Sequence, residues 1–384
     1  MKNANTLQKI LQHWHKPETN LHVNNVIEQI KQCRTASLGY HLYQCTDREC
    51  KKYHYRYHSC RNRHCPQCGG FQKQQWIEDR MNELLPTNYF HVVFTLPHEL
   101  NSCILGNRKL LLKLLFDTSA QTLLTFSKDK KYLGATPGIL SLLHTWGQQL
   151  SFHPHVHCII SSGGIDNTSG IQYWRNAVRN SKQFIFPIKA LAKVFRAKYL
   201  MGIKVLLENN QLRVSPKSDL NILLKELYKK EWVVYAKRPF GGPQQVISYL
   251  GRYTHKTAIT NSRIVRFDSD NNRVQFKYKD YADNSNEKLM EVNACSFVTR
   301  FKQHILPKRF TRIRSYGYLA NRGRTERIKE ITKMMNIPAH PIRVKISWQT
   351  RLLLQVGKSI NCCPNCHKET LIQIASYYKH GHYG

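Results

Sequence analysis

Two short-spaced cysteine pairs set the first limit on how this chain can fold. Four residues separate Cys45 from Cys50 and two separate Cys65 from Cys68, so each pair can close a tight knuckle. Two knuckles supply four thiolates in a tetrahedron, the geometry that suits structural Zn²⁺ and leaves no position for a substrate. Pro66 and Gly69–Gly70 add turn-forming residues to the second pair. Cys33, His41, Cys60 and His64 could complete a second set; the plainer reading makes them buried thiols and core histidines. The stretch Met1–Asn20 lacks an apolar signal segment, so a reducing, cytoplasmic setting is expected. There the twelve cysteines serve metals or stay free rather than form disulfides.

Charge limits the partners. Lys and Arg number 59 against 24 Asp and Glu, a net charge of +35. Such an excess self-repels unless a polyanion neutralises it, which points to nucleic acid or an anionic membrane. No apolar run is long enough to span a bilayer, and Lys113 interrupts the run Leu110–Phe116. DNA is therefore the expected partner, with no membrane. Arg61 and Arg63, with Lys51, Lys52, Tyr53, Tyr55 and Tyr57, would make the cysteine region a DNA-binding surface. Between Arg300 and Lys329, cations including Arg312, Arg314 and Arg322 alternate with Phe301, Phe310, Tyr316 and Tyr318, a pattern suited to unpaired bases. The plainer reading is a solvated helix face.

Texture divides the chain into a zinc- and DNA-binding region (1–85), a mixed sheet-and-helix region (86–320) and a basic tail (321–384). Strands are expected at Tyr89–Leu96, Phe184–Ile188, Ile203–Glu208, Ile264–Asp268 and Arg273–Tyr278, and helices at Ile104–Ser127 and Leu220–Tyr235. The class is thus α+β. In the tail, Cys363 and Cys366 form half a zinc site, which His367, His380 or His382 could complete.

His-x-His occurs at 13/15, 153/155, 155/157 and 380/382, so context must choose among the pairs. His13 and His15 lie in an amphipathic helical segment, where residues two apart diverge. His155–Val156–His157 leads into the apolar run Cys158–Ile160, and on a strand both imidazoles share one face while Val156 points to the core. Ser161–Gly164 is expected to end that strand in a turn. Further on, Gly242–Pro243 starts a helix that places Gln245, Tyr249 and Tyr253 on one face, with Arg252 and Lys256 nearby. Two such tyrosines could attack phosphate in succession; a packing stripe is the plainer reading.

These motifs, in this order, resemble one family. CRNRHCPQC (60–68), YFHVVFTLPHEL (89–100), WGQQLSFHPHVHCII (146–160), FGGPQQVISYLGRYTHKTAI (240–259) and RSYGYLANR (314–322) are similar to blocks of the IS91-like transposases. That family belongs to the rolling-circle endonucleases with a histidine–hydrophobic–histidine motif. The resemblance implies a five-stranded antiparallel sheet with flanking helices, the histidines on a central strand and the tyrosine helix beside it. It also implies a bacterial, nucleoid-associated transposase that cuts single-stranded DNA at element ends and rejoins it at the target. Mg²⁺ or Mn²⁺ would assist, Tyr249 and Tyr253 would form 5′-phosphotyrosines, and Lys256 would offset phosphate charge. For the third metal ligand Gln245 is favoured, with Gln148, Gln149 and His153 as competitors; Pro154 argues against a strand reaching His153. The tyrosines follow the histidines, unlike the order in conjugative relaxases. The rival readings are a rolling-circle replication initiator of a plasmid or phage and a zinc-dependent DNA-binding protein without catalysis.

Overall fold

The computed structural model describes residues 5–378, apart from 69, 82, 168–169, 178–183, 215–219, 238–244, 246–250, 252–256, 339–346 and 358. The first third contains α1 (Leu7–Trp14), α2 (Leu21–Gln32), β1 (Gly39–Cys45), β2 (Tyr53–Tyr57), α3 (Gly70–Met81), β3 (Tyr89–Thr95), α4 (Asn101–Gly106) and α5 (Arg108–Lys128). Then come β4 (Thr136–Trp146), β5 (Phe152–Asp166), β6 (Tyr173–Asn176), α6 (Ile188–Glu208), α7 (Leu220–Lys229) and β7 (Val234–Lys237). The last third holds β8 (Ile264–Asp268), β9 (Arg273–Asp280), β10 (Asn286–Asn293), α8 (Ala294–Lys302), β11 (Ile313–Gly317), α9 (Arg324–Met334), α10 (Trp348–Val356) and β12 (Leu371–Tyr378).

The class is α+β, and the described strand pairings are antiparallel. The largest sheet runs β11-β4-β5-β3-β7, with β6 pairing the far end of β5. Period-two alternation decides its faces. On one, Val156, Cys158 and Ile160 of β5 pack with Phe90, Val92 and Phe94 of β3 against Leu112 and Phe116 of α5 and Phe195 and Tyr199 of α6. On the other, Tyr89, Leu140, Leu142 and Ile159 form a small cluster with Trp76 of α3, and the rest of that face carries His91, His144, His155 and His157 beside Val93, Thr95 and Tyr235. Buried hydroxyls in α5 are satisfied locally: Ser119, Thr122 and Ser127 each donate to the carbonyl four residues earlier.

A second core joins distant sequence. Leu7, Ile10, Ile27 and Ile30 of α1 and α2 pack with Val274, Phe276, Phe297 and Phe301. A third, small sheet has the order β12-β1-β2, so its strands come from both ends of the chain.

Several expectations are corrected. Ser161–Gly164 is not a turn, because β5 continues through it to Asp166. A Cβ on Gly163 would sit 2.3 Å from the Trp174 ring, and one on Gly164 2.5 Å from the Thr136 carbonyl oxygen. These glycines admit close neighbours rather than reverse the chain. Ile203–Glu208 is the end of α6, continuing the helical stripe Leu191, Phe195, Tyr199 and Ile203. Phe184–Ile188 is a loop that enters α6, and Leu220–Tyr235 divides into α7 and the start of β7.

Candidate functional site

His155 and His157 share the face of β5 opposite the large core. The β4 register places His144 directly across from His155. Ligand nitrogens of these three side chains lie within 4.8 Å of one another. Their ring centroids are 5.5 Å (144–155), 4.7 Å (144–157) and 4.9 Å (155–157) apart. The register shifts just beyond His144, where Thr145 of β4 faces both His153 and Pro154 of β5. Pro154 is accommodated at this bulge, so β5 extends back to Phe152.

The ring orientations are fixed from behind. His155 donates from Nδ1 to the His153 carbonyl at 2.7 Å, so Nε2 is the nitrogen it would offer a metal. His157 Nδ1 and His91 Nε2 share a hydrogen bond of 2.8 Å, with the two rings nearly parallel. Such outer partners set the tautomer of a metal-binding imidazole. Burial lowers the His155 pKa to about 4, keeping it in the neutral state a ligand requires. Trp146 stacks on His144 at 4.8 Å, and the Arg312 guanidinium lies 5.6 Å over the Trp146 ring. Three imidazoles favour a first-row transition ion over Mg²⁺, which prefers oxygen donors.

The histidines lie in a cleft of about 1160 Å³, also lined by Tyr235, Arg263 and Tyr281. Gln148 and Gln149 line it too, and the Gln148 amide donates to the Tyr281 hydroxyl at 3.0 Å. His153 is exposed at its rim. Gln245 is helical and exposed, and the residue that the strand register brings beside His155 is His144. Tyr249, Arg252, Tyr253 and Lys256 lie outside the described residues. His144 and His91 were not singled out in the sequence. His91 lies within an expected strand, but its role depends on the strand beside it.

The cysteines regroup. Cys45, Cys50, Cys65 and Cys68 do not form one site. Cys65 and Cys68 join Cys33 and Cys60, while Cys45 and Cys50 join Cys363 and Cys366. The cause is packing: Cys33 follows α2 into the second core beside Cys65, whereas Cys45 ends a strand paired with β12. In the first group Sγ–Sγ distances are 3.5 Å (33–68) and 3.7 Å (60–68), and the Cys60 amide donates to Cys33 Sγ. Neither His41 nor His64 enters a cluster. His41 packs edge-on against His58 and bonds Ser376, and His64 is buried, its pKa pushed well down by desolvation.

Comparison with known proteins supplies the identity. A family described as "Transposase zinc-binding domain" matches residues 4–96, and one described as "Putative transposase" matches residues 138–327. The chain is 39% identical over 361 residues to "Putative transposase y4qJ" of Sinorhizobium fredii, covering 91% of this chain and 88% of that protein. The chain belongs to the IS91-like transposases. It is also 29% identical over 300 residues to the transposase for insertion sequence element IS801 of Pseudomonas savastanoi pv. phaseolicola, covering 76% of this chain and 68% of the relative. No solved structure matches. Membership implies nuclease and strand-transfer activity with DNA as partner, and the zinc-binding match and cysteine clusters together support structural Zn²⁺. No helix among the described residues is long and apolar enough to cross a membrane.

For a transposase the expected DNA contacts then sort by exposure. Phe301, Phe310 and Tyr318 are core residues, not a stacking row. Arg312 is buried, its pKa lowered to about 10 by desolvation, and Arg314 lies over Phe116 and pairs with Asp117. Arg63 donates to the backbone carbonyls of Pro307 and Phe310. Arg61, Arg322 and the β2 row Tyr53, Tyr55 and Tyr57 face solvent.

Proposed function

We propose that this transposase nicks and rejoins single-stranded DNA through a tyrosine, with His144, His155 and His157 holding a divalent ion, Mn²⁺ before Mg²⁺. The observation that carries the reading is the convergence of three histidines from adjacent strands on one cleft. The sheet with its histidines on the middle strand supports a histidine–hydrophobic–histidine nuclease within residues 86–320, between the zinc region (1–85) and the tail (321–384). An ion bound there would polarise the scissile phosphate.

The protein's own groups do the rest. Tyr249 or Tyr253 attacks phosphorus through its phenolic oxygen, the bond to the 3′-oxygen breaks, and the tyrosine keeps the 5′-phosphate. The phenolic proton leaves to solvent, and the departing 3′-oxygen takes one up. Lys256 offsets charge on the phosphate. The ester retains the bond energy, so a 3′-hydroxyl can reverse the step at a new site without a nucleotide cofactor. Two tyrosines allow one to hold an end while the other cuts, as rolling-circle transposition requires. Tyr235 and Arg263, which flank the tyrosine segment in sequence, both line the cleft, and this supports its reach.

The test is incubation with labelled single-stranded oligonucleotides bearing the element ends, with and without Mn²⁺. The expected result is a metal-dependent protein–DNA adduct that survives denaturation and is lost in the Tyr249→Phe plus Tyr253→Phe variant. An adduct that persists in that variant, or none with any end sequence, overturns the reading.

A further inference from the structure

The second cysteine group is only half contained in the zinc-binding match at residues 4–96, because Cys363 and Cys366 come from far along the chain. Cys45 closes β1, and Cys50 follows in the β1–β2 turn, where the Asp47 carboxylate accepts the Glu49 and Cys50 amides. Cys363 and Cys366 stand in the Cys-Pro-Asn-Cys turn before β12, closed by the Cys363 amide on the Lys368 carbonyl at 2.8 Å. The four Sγ atoms lie within 4.8 Å of one another, with 3.7 Å between Cys45 and Cys366 and 3.8 Å between Cys50 and Cys363. Sulfurs about 2.3 Å from a tetrahedral zinc are about 3.8 Å apart, whereas a disulfide needs about 2.05 Å.

The surroundings suit thiolates. Thr370 Oγ1 lies 3.0 Å from Cys45 Sγ, and the Asn365 amide donates to Cys50 Sγ at 3.4 Å. Beyond the β1–β12 ladder, the module has little buried core to hold it together. Its buried cluster consists of Tyr43, Cys45, Cys363 and Leu371, so only two of its buried members are not cysteines. A core that small does not offset the entropy of bringing β12 onto β1 across three hundred residues of chain. Other contacts between the halves are polar or lie near solvent: Lys368 with Asp47, Lys52 with Asn365, His41 with Ser376, and the exposed Tyr377 and Tyr378 rings against Tyr40, His41 and His58.

We propose that Cys45, Cys50, Cys363 and Cys366 bind a second structural zinc, which fastens the C-terminal knuckle to the N-terminal hairpin and completes the sheet β12-β1-β2. This zinc is separate from the one at Cys33, Cys60, Cys65 and Cys68, and the inference does not depend on the nuclease reading. Residues 39–378 are thereby closed into a loop, with β1 and β12 in one module and the largest sheet between them.

The test is zinc counting on full-length protein carrying His155→Ala and His157→Ala, which removes the imidazole site from the count. Two zinc ions per chain are expected, with an all-sulfur shell by X-ray absorption. Adding Cys363→Ser and Cys366→Ser should leave one. Adding Cys362→Ser, whose thiol lies next to the cluster without joining it, should leave two. One zinc in the parent, or two retained without Cys363 and Cys366, overturns the proposal. If the double serine variant does not fold, the parent's count and shell decide alone.

Discussion

His157 can present Nε2 in a fixed direction because His91 holds Nδ1 from the neighbouring strand. His91→Ala is therefore expected to weaken Mn²⁺ binding about 10- to 100-fold, the usual cost of losing an outer partner. Titration calorimetry would measure it, His91→Gln should recover part of the loss, and an unchanged affinity would remove His91 from the account. His304 makes a different prediction. Its Nε2–H donates to the Leu150 carbonyl and Nδ1 accepts from Thr145, so the buried ring is bonded as the neutral form. Burial lowers its pKa to about 4, against about 6.5 for an ordinary histidine. A histidine kept neutral by folding stabilises fully above pH 6.5, and that contribution is lost as pH falls toward 4. By pH 5 the loss amounts to about 2 kcal/mol. Urea unfolding at pH 7 and pH 5 should show this drop, smaller in His304→Gln; equal drops would contradict it.

Among the elements, those with a clean period were legible. A run rich in Val and aromatics marked β3, the apolar run Cys158–Ile160 marked the histidine strand, and helical periodicity marked α1 and α5. β4 was not marked: Ile139–Leu143 is buried on both faces and shows no alternation, so His144 at its end carried no signal. Which cysteine pair joins which was equally invisible, because spacing reports a knuckle but not the partner knuckle three hundred residues away. The basic block misled for a related reason. Its aromatics are core residues of two packed layers, and a sequence cannot show that Phe301 and Tyr318 face inward. β2 is the contrasting case, because the rings of Tyr53, Tyr55 and Tyr57 are exposed along one face while Arg56 turns under to Tyr43. Replacing Tyr53 and Tyr55 with Ala should lower single-stranded DNA affinity by about 30-fold or more, at roughly 1–3 kcal/mol for each of two stacked bases. Fluorescence anisotropy would measure it. Thermal stability should not change, since both rings are more than half exposed. Unchanged affinity would show that this face meets something other than bases.

The whole molecule carries a charge of +35, and most of it must meet DNA phosphates or solvent rather than internal carboxylates. Affinity for a single-stranded element end should therefore fall steeply with salt. Contact with 6–10 phosphates predicts a loss of about 10³- to 10⁵-fold between 50 and 200 mM, somewhat less for single strands. A nearly flat salt dependence would mean that the charge serves another purpose. The central claim concerns the cleft, where one ion is to be held by three histidines from two strands. Paramagnetic resonance of Mn²⁺ bound to the protein tests it most directly, through the nitrogen couplings of the coordinated rings. The account predicts couplings from three imidazoles in the native chain and from two after His144→Ala. Mn²⁺ bound without nitrogen couplings, or with the same couplings after that substitution, would contradict it.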